Sequence, residues 1–143
     1  AIERSVAAGV TYTVAAGNDG VNAAGTVPAA YDVVVTVSAY SDANGILSST
    51  DGWPSFTNFG NDVDIAAPGV NIFSTWKGGG YNTISGTSMA TPHVAAAAAL
   101  YLSTHPGTSP TLVRDALRNA ATSTYPGSTN ANHLEPLLDV RSF

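Results

Sequence analysis

The sequence predicts an α/β fold, and three observations carry that prediction. Two apolar, β-branched runs, VTYTVAA at 10–16 and VVVTVSA at 33–39, lack polar alternation, the pattern of strands buried on both faces. A third run, VAAAAALYL at 94–102, is apolar all round at helical length, which predicts a helix buried between layers. Strands combined with a fully buried helix belong to the layered α/β class.

The elements follow in order. AIERSVAA at 1–8 reads as the end of an amphipathic helix stopped by Gly9, so the chain is expected to begin inside an element. The first strand, 10–16, ends at Gly17-Asn18, and a loop of small residues covers 19–30. The second strand, 33–39, leads to a turn at DANG, 42–45. DVDIAAPG at 62–69 reads as a short strand closed by Pro-Gly. NIFSTW and YNTIS flank KGGG, a hairpin with a glycine-rich turn. A helix is predicted over 88–103, with Pro92 tolerated in its first turn. Another begins at Ser109-Pro110, a cap followed by proline at the first helical position. Leu112, Val113, Ala116, Leu117, Ala120 and Ala121 form its apolar face, with Arg114, Asp115 and Arg118 opposite. Residues 122–143 read as loop plus a short terminal segment, and the 143 residues as one domain.

Composition excludes several classes. Hydrophobic residues make up 44% and charged ones 10%, which suits a packed core and not a disordered chain. A net charge of −5, with five scattered Lys and Arg, argues against a nucleic-acid partner. The absence of cysteine excludes disulfides and zinc-thiolate sites. No apolar run reaches the roughly 18 residues that would span a bilayer, so no membrane partner is expected.

Ser88 is the residue with chemistry to explain. It sits where YNTIS turns through Gly86-Thr87 into the predicted buried helix. Unpaired N–H groups and the macrodipole at a helix N-terminus favour developing negative charge there. Such a place suits a hydroxyl nucleophile whose attack creates an oxyanion. The plainer reading is a serine that caps a helix. The nucleophile elbow G-x-S-x-G matches poorly, because Ala90 stands where its second glycine belongs.

GTSMATPHVA at 86–95 resembles the nucleophile motif of the subtilisin-like serine peptidases, the subtilases. VAAGNDG at 14–20, SFTNFG at 55–60 and DIAAPG at 64–69 extend the resemblance in the family order. The chain from residue 1 to about 140 is similar to the C-terminal half of a subtilase catalytic domain of the proteinase K and aqualysin type. The resemblance implies a three-layer α/β/α fold with a mostly parallel sheet and a buried central helix. It implies a secreted serine endopeptidase that acts on proteins or peptides through an acyl-enzyme on Ser88. Asn18 then matches the oxyanion-hole asparagine, donating alongside the Ser88 backbone N–H; read without the family, Asn18 is a turn residue after Gly17. Ala15, Ala16 and Gly17 correspond to one wall of the pocket for the substrate side chain, and Thr26 falls near its floor.

The resemblance also implies what must come from elsewhere. The triad needs a histidine base and an aspartate to orient it. No D-[ST]-G or H-G-T string occurs here, and TDGWPS at 50–55 lacks the motif. About 500° of helical rotation places His93 away from the face of Ser88, and the resemblance implies a structural role for it. His105 and His133 read as solvated loop residues. An N-terminal half of the same domain is therefore the expected partner, and the chain a fragment, a nicked half or an inactive relic. Last, the resemblance implies structural Ca²⁺, held by the Asp64 carboxylate and the carbonyls of Asp32 and Val34. The alternative is that Asp64 caps a strand end or pairs with a cation.

Overall fold

A computed structural model describes residues 1–42, 44–123 and 130–143. Helix α1 spans Ile2–Ala7 and ends before Gly9, but none of its residues is buried. Three parallel strands follow, β1 at Thr13–Ala15, β2 at Val35–Tyr40 and β3 at Ile65–Pro68, in the order β1-β2-β3. Val37 is in register with Ala15 on one side and Ile65 on the other, so β2 is the central strand. All its residues are buried, whereas β1 is half-buried, an edge where the sequence predicted a fully buried strand. Strands β4 (Ile72–Trp76) and β5 (Gly80–Ile84) form the expected antiparallel hairpin, turning through Lys77–Gly79. Helices α2 (Thr87–Thr104) and α3 (Pro110–Ala120) complete the order, and Ser109 caps α3 as predicted. The fold is α/β with a parallel main sheet. Asp42 Oδ1 accepts from the Asn44 and Gly45 N–H groups in the expected turn, whose Ala43 lies outside the described residues. Residues 124–129 of the predicted terminal loop lie outside them too.

The core follows from strand alternation. Val35, Val37 and Ala39 of β2, with Ile65 and Ala67 of β3, point to one face. Ala90, Val94, Ala97 and Ala98 of α2 pack there, and Val113 and Leu117 of α3 close the same cluster. The residues between point to the opposite face, where Tyr40 and Ala66 meet Leu137 of the C-terminal segment. Small residues on α2 let the helix lie close to the strands, and each buried methyl stabilises by about 0.8 kcal/mol.

Helix α2 departs from the sequence reading. Its Ala95, Ala96, Ala99 and Leu100 are exposed, Leu100 at 45%, so it is not buried all round. The sheet and α3 cover only one side of it among the described residues. Its composition is that of an enclosed helix; its surroundings here are those of a surface helix.

Two glycines let the chain close on itself at the C-terminal end of the sheet. A Cβ on Gly69 would lie 2.7 Å from Ala39 Cβ and 2.9 Å from Gly86 O. Without it, Gly69 N–H donates to Tyr40 O and Gly69 O accepts from Gly86 N–H, at 2.9 and 2.8 Å. The end of β3 thus fixes the start of α2. Gly17, at φ +110°, takes a conformation that suits glycine, and a Cβ there would lie 2.3 Å from Asn58 Nδ2.

Candidate active site

Ser88 does not cap α2. Gly86 is the N-cap, and Ser88 lies inside the first turn with its side chain exposed. Neither its hydroxyl nor its backbone N–H has a hydrogen-bond partner among the described residues. The first-turn N–H that is capped belongs to Thr87, and it donates to Asn18 Oδ1 at 2.8 Å from across the fold.

Thr87 then fixes the Asn18 side chain. Its hydroxyl donates to the same Oδ1 at 3.0 Å and accepts the Gly17 N–H at 3.2 Å. Two donors on one oxygen set the amide orientation, and Asn18 Nδ2 is left with its hydrogens free of any described acceptor. The outcome is an exposed hydroxyl, its own N–H and a carboxamide N–H at the N-terminus of an 18-residue helix. That set of groups can add a nucleophile to a carbonyl and receive the charge that forms on its oxygen.

A residue the sequence reading passed over organises the loop that carries Asn18. Asn58 is wholly buried, and its Oδ1 accepts the Asp19 and Val21 N–H groups, both at 3.1 Å. Its Nδ2 donates to Ala16 O at 2.9 Å and Thr26 Oγ1 at 3.4 Å, and its backbone N–H donates to Gly17 O. Ala16, Gly17 and Thr26, expected to border one pocket, are drawn together by this one side chain. Ala16 enters that border only through its backbone, because its methyl is buried with Ala23 and Val63. Ala15 is the last residue of β1 and is half-buried.

The histidines divide. His93 Nδ1 donates to Met89 O at 2.9 Å, one turn back, as a structural residue of α2 would. It lines a cavity of about 400 Å³ between α2 and the hairpin, together with Trp76, Met89 and Pro92. His105 is exposed beside Tyr101. His133 is not solvated, contrary to the sequence reading. It is buried, stacks on Trp53 at 4.1 Å between centroids, and pairs with buried Glu135 at 2.9 Å. Ser38 donates to the same Glu135 oxygen from β2. A polar cluster of this kind has no local sequence period, which is why only the fold discloses it. Among the described residues no histidine is in hydrogen-bond contact with Ser88.

The subtilase family model matches residues 1–135. The chain belongs to the subtilase family. It is 48% identical over 113 residues to alkaline serine exoprotease A of Vibrio alginolyticus, covering 79% of the chain and 20% of that protein. It is 42% identical over 131 residues to a subtilisin of Bacillus pumilus, covering 90% and 44% respectively. An extracellular serine proteinase of Thermus sp. is 46% identical over 124 residues, 85% of the chain and 28% of the relative. Among solved structures, a cold-adapted subtilisin-like serine proteinase superposes with a TM-score of 0.76 at 41% identity, covering 96% of this chain and 49% of that one. A Pseudoalteromonas arctica protease superposes with a TM-score of 0.82 at 30% identity, over 97% and 43%. This subtilase chain therefore spans less than half the length of these relatives.

The donors expected for calcium in this subtilase chain do not suit the ion as they stand. Asp64 is buried, and its Oδ2 accepts the Thr36 N–H at 2.9 Å. Its Oδ1 faces Arg118 Nη1 at 3.2 Å and Arg114 Nε at 3.9 Å. Arg114 Nη1 also donates to the Asp32 carbonyl. A guanidinium thus stands on the carboxylate and on one of the two expected carbonyls; Val34, the source of the other, is buried just before β2. Burial pushes the Asp64 carboxyl above its ordinary range, and the Thr36 N–H, Arg114 and Arg118 pull it back only in part.

Proposed function

We propose that this chain carries the nucleophile and oxyanion site of a secreted serine endopeptidase. The observation that carries the reading is the Ser88 hydroxyl, exposed and unpartnered beside an Asn18 amide whose orientation Thr87 fixes. In the reaction, Ser88 Oγ adds to the carbonyl carbon of a peptide bond while a base takes its proton. Asn18 Nδ2–H and the Ser88 N–H donate to the resulting oxyanion. The C–N bond breaks as the amine leaves with the base's proton, and water then releases the acid from Ser88. The family's proteolytic relatives, one of them named extracellular, support both the peptide substrate and secretion.

The base is outside these residues in this reading. His93 is spent on Met89 O, His133 on Glu135, and His105 lies at the far end of α2. A histidine and its aspartate come from an N-terminal half of the domain, which would also cover the open face of α2. No helix among the described residues is long and apolar enough to cross a membrane.

The test is labelling of Ser88 by a fluorophosphonate probe. The chain alone should label little, since an unassisted serine is a weak nucleophile at neutral pH. Adding an N-terminal half that bears the histidine and aspartate should restore labelling, and Ser88→Ala should abolish it. Asn18→Ala should lower turnover by about 10²–10³-fold, the loss known for such a donor in a subtilisin, with folding intact. Robust peptide hydrolysis by the chain alone would put the base among its own histidines. A reconstituted but unreactive pair would favour an inactive, binding module.

A further inference from the structure

We propose that Arg114 and Arg118 take the structural place of a calcium ion at Asp64, so that this corner of the fold is held without a divalent cation. The two residues lie one turn apart on α3. Between and beside them, Val113 and Leu117 are fully buried against the sheet and α2, so both arginines spring from a fixed backbone. From there Arg118 reaches the Asp64 carboxylate at 3.2 Å and Arg114 reaches the Asp32 carbonyl. Two guanidiniums carry together the charge of one divalent ion.

They also join the segments that such an ion would join. Asp64 immediately precedes β3, and Asp32 lies in the turn before β2. Thr36 binds Asp64 twice, accepting its N–H at 2.9 Å and donating to Oδ2 at 2.9 Å, while its hydroxyl donates to Ala29 O. The clamp therefore ties α3, the start of β3 and the 29–34 loop around one buried carboxylate. Ca²⁺ takes about 6–8 oxygens at roughly 2.3–2.6 Å. Here both carboxylate oxygens already face N–H donors, and Arg114 stands on the Asp32 carbonyl. Asp64 lines a cavity of about 200 Å³ together with Asp32, Asp62 and both arginines, but among the described residues no three His, Asp or Glu side chains gather closely enough to hold a metal. A lone cation beside Asp64 would leave the carboxylate short of donors. Arg118 donates to the carboxylate and Arg114 to the Asp32 carbonyl, so the two forks are spread over both groups.

The inference is independent of catalysis and its test reads stability and metal content. The protein, purified as its full chain, is analysed for calcium and melted in excess chelator and in excess CaCl₂. The expected result is no stoichiometric calcium and the same Tm in both, because a ligand that does not bind the native state cannot stabilise it. Arg114→Gln with Arg118→Gln should melt lower by several degrees and regain part of that loss with Ca²⁺, since the carboxylate and the Asp32 carbonyl are then free. Should the double variant fail to fold, Arg118→Gln alone, at a half-exposed position, keeps Arg114 on the Asp32 carbonyl and should show a smaller drop in Tm with a smaller recovery in Ca²⁺. Stoichiometric calcium in the natural chain, with a Tm that falls on chelation, overturns the proposal. So does an arginine variant that melts like the natural chain, or one that melts lower and ignores calcium.

Discussion

Thr87 Oγ1 lies 3.0 Å from Asn18 Oδ1 and 3.2 Å from the Gly17 nitrogen, so one buried hydroxyl donates to the first and accepts from the second. Thr87→Val keeps the shape of the side chain and removes both bonds. The Thr87 backbone N–H still holds Asn18, so the amide loses one of its two restraints. The expected outcome, in the reconstituted enzyme, is a fall in kcat of about tenfold, the kinetic equivalent of roughly 1.4 kcal/mol. KM should barely move, and Thr87→Ser should recover most of the rate. A rise in KM with unchanged kcat would mean that Thr87 shapes the pocket and not the oxyanion donor.

Asn58 is the second prediction. Truncation to alanine would orphan Ala16 O and the N–H groups of Asp19 and Val21. Each unsatisfied buried group costs about 1–3 kcal/mol, and the loop can admit some water, so a total near 3 kcal/mol is expected. Urea unfolding measures it. Asn58→Asp should fall between, because it keeps the acceptor for Asp19 and Val21 but turns an oxygen toward Ala16 O. Equal stability of all three forms would show that the loop holds itself.

The sequence discloses elements better than partners. Strands, hairpin and both long helices fall within a few residues of expectation because periodicity and Gly/Pro punctuation are local signals. Ser88 and Asn18 are legible through motif resemblance, and the fold brings them together through Thr87. What escapes is non-local. Asn58 is a lone amide between Phe56 and Phe59, and no spacing says that it binds a loop some forty residues back. Arg114 and Arg118 sit on the polar face of α3, where solvent is the default reading, yet Asp64 waits there. His133 follows the same logic, since its stacking on Trp53 depends on a return of the chain that no pattern predicts.

A pH effect of known sign follows from Asp139. Hydrogen bonds from the Arg141 side chain and backbone lower its carboxyl to about 2. A folded-state value below the unfolded one means that the unfolded chain binds protons more readily. The stabilisation is then present above the ordinary carboxylate range and is lost as pH falls toward 2. Arg141 is mostly exposed, so the effect should be small and screened by salt. Arg141→Gln should flatten this part of the acid unfolding profile at low ionic strength and change nothing at high salt. A profile that is unchanged at low salt would show that the pair is not formed in solution.

The open face of α2 gives the last prediction. Ala95, Ala96, Ala99 and Leu100 are exposed on an otherwise apolar helix, and β1 is a half-buried edge strand. Apolar surface beside an open strand edge favours self-association, so the isolated chain should aggregate. Ala99→Glu and Leu100→Lys place opposite charges on that face without touching Ser88 or Asn18. The double variant should keep the chain monomeric in light scattering at concentrations where the natural chain associates. It should also fail to gain fluorophosphonate labelling when the N-terminal half is added, because two charges would have to be buried at the joint. That pairing of outcomes separates a docking face from a merely sticky one. A variant that becomes soluble and still complements would place the N-terminal half on another face. A natural chain that stays monomeric would remove the reason to cover α2 at all.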